Sequence, residues 1–195
     1  MELLQKKLTY QEFRNMEFDQ NDSFWYELIN GELVRKQSPT FDHQVLSGEI
    51  EFLLMAFVKQ HQLGRVVHAP MDVILDDGNV YHPDIFFIKK ERFFIIDEKE
   101  KIIAGTPDLV IEILSKSTAV NDRGDKKDNY EKHGVREYWL VDPQKKSFEV
   151  YSLINDRFKL TSYLEGSGVL KSAVLEGFEM DIEKLFDEAT SVSGE

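Results

Sequence analysis

The sequence predicts an α/β fold, a mixed β-sheet flanked by helices. Three observations carry that expectation. One long segment repeats apolar residues at helical spacing, several β-rich runs are bounded by turn dipeptides, and the middle of the chain reads strand, helix, strand, which forces two strands to run parallel. With 195 residues, 42% hydrophobic and 31% charged, the chain suits one globular core rather than two enzyme domains. We therefore expect a single domain over 1–195, with a core over about 26–142 and a strand extension over about 148–186.

The elements follow in order. Thr9 before Tyr10-Gln11-Glu12-Phe13 places a hydroxyl N-cap three residues ahead of a glutamate, so a short helix opens the fold. Tyr26 to Ile29 and Glu32 to Arg35 flank Asn30-Gly31, a dipeptide that accepts positive φ at both turn positions, so a hairpin is expected with Glu27 on a strand. From His43 to His61, Leu46, Ile50, Leu53, Leu54 and Phe57 mark one face of a long helix. Arg65 to Leu75 and Val80 to Ile88 read as strands joined at Asp76-Asp77-Gly78-Asn79, the second carrying His82-Pro83-Asp84. Lys89 to Lys101, charged with an apolar patch at Phe93 to Ile96, reads as a surface excursion.

Leu109 to Leu114 is aliphatic except for Glu112, as befits a strand covered on both faces. Ala119 to His133 then reads as a helix stopped by Gly134, and Glu137 to Val141 as the next, parallel strand. Strands at Phe148 to Leu153, Phe158 to Tyr163 and Val169 to Leu175, with a last helix at Ile182 to Phe186, are expected to extend the sheet edge. The segment from Glu176 to Glu195 holds seven acidic residues and one lysine.

Composition excludes several chemistries. The absence of cysteine removes disulfides, thiolate nucleophiles and sulfur-ligated zinc. A net charge of −12 has the wrong sign for a protein that coats DNA with its whole surface, so any nucleic-acid contact must be local. Lys116 to Arg136 is such a place, with six lysines and arginines against four acids. With no long uncharged apolar run and no signal-like start, we expect no membrane span and a cytoplasmic location.

Glu112 carries the argument toward chemistry, because a carboxylate in a covered strand must be paired, protonated or bound to a cation. Strand alternation gives it one face with Asp108, Val110 and Leu114, and if the strand bearing Asp84 is its neighbour, Asp84 and Glu112 converge. Two hard oxygen donors with room for water and phosphate suit Mg²⁺ or Mn²⁺ and the hydrolysis of phosphodiesters. Asp122, Lys126 and Tyr130 follow at i, i+4 steps, so one stripe would bring a cation to the two carboxylates. Each residue also has a plainer reading: Asp84 as a turn cap, Glu112 in a buried ion pair, Lys126 in a surface bridge to Asp122, His43 and Glu27 as ordinary exposed residues, Asp108 as the start of a strand.

The segments Tyr26-Glu27-Leu28, Pro83-Asp84, Glu112-Ile113-Leu114-Ser115, Asp122 with Lys126 and Tyr130, Gly134 to Trp139 and Val141-Asp142-Pro143 resemble the Uma-two family of restriction-endonuclease-like proteins, within the PD-(D/E)XK nuclease superfamily. The resemblance implies a restriction-endonuclease-like core with additional edge strands, and a metal-dependent endonuclease acting on DNA. It implies metal-binding carboxylates at Asp84 and Glu112, and site roles for Glu27 and for His43. The orthodox motif sets a lysine two residues after the glutamate, where this chain has Leu114. Lys126 is the preferred substitute, to orient water or stabilise phosphate charge, and Lys116 the alternative. A non-catalytic module that keeps the fold and binds a protein or a DNA end is the rival function. Cutting both strands of a duplex would call for a homodimer, for which the sequence names no interface.

Overall fold

The structure is a computed structural model, described here over residues 6–18 and 24–190. Its elements are α1 (Tyr10–Arg14), β1 (Trp25–Ile29), β2 (Glu32–Lys36), α2 (Phe41–His61), β3 (Gly64–His68), β4 (Val73–Asp76), β5 (Asn79–Tyr81), β6 (Ile85–Lys89), a 3₁₀ helix (Lys90–Ile95), β7 (Ile96–Asp97), β8 (Ile102–Ala104) and β9 (Leu109–Ile113). There follow α3 (Ala119–Arg123), α4 (Asp125–Lys132), β10 (Glu137–Asp142), β11 (Ser147–Ile154), β12 (Arg157–Glu165), β13 (Val169–Lys171), β14 (Glu179–Asp181) and α5 (Ile182–Thr190).

The main sheet has the order β12-β11-β10-β9-β6-β3 and is mixed, since β9 and β10 run parallel while its other neighbours are antiparallel. A second six-stranded sheet has the order β2-β1-β5-β4-β8-β7, and β13 and β14 form a small separate pair. The alternation of β9 explains the layering. Leu109, Ile111 and Ile113 pack with Leu46, Ile50, Leu54 and Val58 of α2 and with Leu185 and Phe186 of α5. Val110 faces the other way, into a core with Tyr130, Tyr138 and Leu140 and with Ile29, Val73 and Tyr81 of the second sheet. Glu112 belongs to this second face, so it points between the two sheets.

Local chemistry sets the element ends. Thr9 and Glu12 make a reciprocal capping box at α1, and Asn30 and Gly31 turn the β1–β2 hairpin at φ 51° and 78°. At Gly64 a Cβ would lie 2.0 Å from the Ile88 carbonyl oxygen, so only glycine lets β3 lie this close to β6.

Several expectations need correction. The strand over Arg65 to Leu75 is two strands, β3 and β4, which belong to different sheets, and the strand over Val80 to Ile88 is likewise broken at residues 82–84. Asp84 therefore stands in the gap before β6 rather than within a strand. Ala119 to His133 divides at Gly124 into α3 and α4. The Lys89 to Lys101 excursion is tied down by Ile95, which is buried, while Phe94 beside it is exposed. Beyond β12 the chain leaves the main sheet: the strand expected over Val169 to Leu175 ends at Lys171 and pairs with β14, and the last helix runs on to Thr190. Among the described residues no helix is long and apolar enough to cross a membrane.

Candidate active site

The site lies where the two sheets meet. β6 and β9 are antiparallel neighbours with Ile85 across from Ile111, and the same register continued by one residue sets Asp84 across from Glu112. Asp84 Oδ2 accepts from the Ile113 amide at 2.8 Å. Glu27 reaches the same place from β1, where its Oε1 accepts from the His82 amide at 2.8 Å. α2 carries His43, whose Nε2 is 3.2 Å from Asp84 Oδ2.

Two ammonium groups join these acids. Lys126 of α4 is 2.6 Å from Glu112 Oε1, 3.3 Å from Glu27 Oε1 and 3.3 Å from Asp122 Oδ1. Tyr130, one turn on, donates its hydroxyl to Glu112 Oε1 at 3.0 Å. Lys36, the last residue of β2, lies 3.2 Å from Asp84 Oδ1 and 3.8 Å from Glu112 Oε2, and donates to the His82 carbonyl at 3.4 Å. The structure thus brings Glu27, His43, Asp84, Glu112 and Lys126 into one cluster and adds Lys36, which the sequence reading did not single out. A signal was available: Glu27 pairs with Val34 in the hairpin, so Lys36 is its diagonal neighbour on the same face. Lys116, the alternative lysine, is exposed on the rim of the adjoining cavity, and Asp108 pairs with Arg92 and Arg136 and caps the Lys89 amide at the other end of β9.

Burial divides the cluster. The side chains of Lys126 and Glu112 are 1% exposed, whereas Lys36 and His43 are 15% and 14% exposed. Lys36, His43 and Asp84 line a cavity of about 800 Å³ that opens between α2, the end of β2 and residues 113–118. Burial pushes the Glu112 carboxyl up to about 8 against the pull of Lys126 and Lys36, and raises Asp122 in the same way. Burial would also raise Asp84 and Glu27, but Lys36 and His43 at the first, and Lys126 and Lys36 at the second, hold both below the usual carboxylate range. Burial works against the Lys126 ammonium, yet Glu112, Glu27 and Asp122 raise its pKa well above the ordinary value. The four buried carboxyl groups share two ammoniums, and Glu112 Oε2 has no hydrogen-bond partner.

A mixed sheet flanked by helices, with acids and lysines gathered at its junction with a second sheet, defines a restriction-endonuclease-like protein. The chain belongs to the Uma2 family, described as "Putative restriction endonuclease", whose model matches residues 10–183 and which is consistent with the PD-(D/E)XK superfamily. Among solved structures it resembles a crystal structure titled a putative nuclease belonging to DUF820, from Anabaena variabilis ATCC 29413. The TM-score is 0.74 and the identity 22%, over 93% of this chain and 99% of that one. That likeness establishes the shared fold. No curated protein matches the chain.

Proposed function

We propose that the chain is a metal-dependent endonuclease that hydrolyses phosphodiester bonds in DNA, with Asp84 and Glu112 holding Mg²⁺ or Mn²⁺. The charge imbalance of the cluster carries the reading: Glu27, Asp84, Glu112 and Asp122 are buried with two ammonium groups, Lys36 and Lys126, and the His43 imidazole beside them, and Glu112 Oε2 accepts no hydrogen bond. Buried carboxyl groups in excess of their counter-ions keep protons or take up a cation. Among the described residues no group of three or more acidic or histidine side chains is arranged to hold a metal ion. Mg²⁺ needs no such cluster, since it commonly uses one or two carboxylates and completes its shell with water and substrate phosphate. A bound ion would supply Lewis-acid polarisation of the phosphoryl oxygen and a more acidic water.

The chain's own residues divide the remaining work. Lys36 reaches the cavity, so its ammonium can meet the charge that grows on the phosphoryl oxygens. Lys126, enclosed by three carboxyl groups, is better placed to hold Glu112 and Glu27 in position than to touch substrate. Tyr130 fixes Glu112 Oε1, and His43 and the Ile113 amide fix Asp84 Oδ2. The test is nicking of supercoiled plasmid or shortening of an oligonucleotide by purified protein with Mg²⁺ or Mn²⁺. EDTA should stop the reaction and Glu112→Gln abolish it, and activity that survives the substitution refutes the assignment.

One observation favours the rival, a non-catalytic module that binds a protein or a DNA end: Lys36 already pairs with Asp84 where an ion would be held. A ligand that binds only the folded state raises the melting midpoint, so thermal unfolding over millimolar Mg²⁺ and Mn²⁺ separates the two. A flat midpoint supports the rival.

A further inference from the structure

The cavity beside the cluster is lined in an unusual way for a site that would grip a duplex. Its lysines are Lys36 and Lys116, and they are matched by Asp42, Glu51 and Asp84. Proteins that hold duplex DNA non-specifically line up enough lysines and arginines to neutralise several phosphates at once. Here the lining offers flat rings instead: Trp25, His43, His68 and His82.

Trp25 is the largest of them and the most unexpected. It opens β1, is 43% exposed, and stands edge-on to His82 with ring centroids 6.4 Å apart. The hairpin register sets it directly across from Lys36, so ring and ammonium are side by side on one face, and Glu27, two residues along β1, shares that face. Trp139 is wholly enclosed in the core, whereas Trp25 leaves part of its indole open at the cavity wall. An unpaired nucleobase has the flat apolar face that fits it, with its own phosphate within the domain of Lys36. A base inside a duplex has no such face to give, because both faces are stacked.

We infer that Trp25 is a stacking platform for an unpaired base, so that the substrate class of this site is single-stranded nucleic acid. The inference rests on the nuclease reading for the chemistry that follows, but not for binding. An unpaired base stacked on Trp25 sets the adjacent backbone at Lys36, whereas an intact duplex would have to open first. Recognition by stacking tolerates any base, and with two lysines in reach it carries a shallow salt dependence, a slope of log K against log salt of about −1.4.

The test reads binding apart from cleavage. Short labelled oligonucleotides, DNA and RNA, each as single strand and as blunt duplex, are titrated into the full chain with Ca²⁺ and again with EDTA, following anisotropy and tryptophan fluorescence. Trp139 is wholly buried, so quenching by the oligonucleotide reports Trp25. The single strand should bind at least about tenfold more tightly than the duplex and quench the indole. Trp25→Ala should weaken it about fivefold or more, and Trp25→Phe should restore most of the loss, as expected of stacking on a flat ring. Thermal unfolding of both variants checks that the hairpin persists. The DNA and RNA arms identify which strand is preferred. Equal binding of duplex and single strand, unchanged affinity in a folded Trp25→Ala protein, or no response to any oligonucleotide overturns the inference. Tight binding that depends on Trp25 with no cleavage under Mg²⁺ would leave it standing and sink the nuclease reading. Duplex cleavage indifferent to Trp25→Ala would do the reverse.

Discussion

The two lysines of the cluster live in different surroundings. Lys126 sits in the inner half, with Glu27, Glu112, Asp122 and Tyr130, and its side chain is 1% exposed. Lys36 sits in the outer half, with Asp84 and His43 on the cavity, and keeps 15% of its side chain in solvent. A buried ion pair gives back little more than its desolvation cost, but it leaves its partners stranded when broken, so its value lies in fixing geometry. A cation at a cavity wall can change partners. Residue type alone therefore does not assign function within this cluster; enclosure does.

The contrast can be broken most severely at Lys126. Lys126→Met leaves Glu27, Glu112 and Asp122 without their shared counter-ion and should cost about 3–5 kcal/mol of unfolding free energy, measured by urea denaturation. A stable Lys126→Met protein would show that the inner half is not the scaffold described above. Lys36→Met takes the ammonium from Asp84, which keeps His43 and the Ile113 amide, so the urea midpoint should fall by less than in Lys126→Met, while cleavage falls about 100- to 1000-fold, measured as initial nicking rates.

The third test uses pH. Burial raises Glu112 to about 8, and it raises Asp122 also. A carboxyl whose folded pKa exceeds its unfolded value binds more protons in the native state between the two, so native stability falls as pH rises through that interval. Metal-free protein should lose stability steadily from about pH 5 to pH 8. Glu27 and Asp84, held low, act in the opposite sense only in more acid solution. Melting midpoints across that range check the slope, and Glu112→Gln should flatten most of it. The smallest effect belongs to His43→Ala. Asp84 keeps Lys36 and the Ile113 amide, so the midpoint should barely move and cleavage should fall by about tenfold, as for loss of a group that orients a metal-binding carboxylate, read from the same nicking rates.

Much of this arrangement was legible in the sequence because its signals are local. Asn30-Gly31 sets the hairpin, the spacing of Leu46, Ile50 and Leu54 sets α2, and one acid in an aliphatic run marks Glu112. Lys36 was not legible in that way. It lies one residue beyond the strand expected over Glu32 to Arg35, and its partners Asp84 and Glu112 lie 48 and 76 positions away. The partition into two sheets was hidden for another reason. β5, β8, β13 and β14 have three residues each and β7 two, too few for a period of two to register. The division of the crossover helix turns on Gly124, a residue that helices tolerate at a modest cost, so its tertiary outcome is not written in the pattern.

Gly64 shows how far the site's foundations extend. Because nothing larger than hydrogen fits against the Ile88 carbonyl, any side chain there would have to lever β3 away from β6. β6 begins at Ile85, the residue after Asp84, so the strain of a crowded position at one end of that strand would be felt by the carboxylate at the other. A substitution remote from the cavity would then displace Asp84 without altering a single group that lines the cavity.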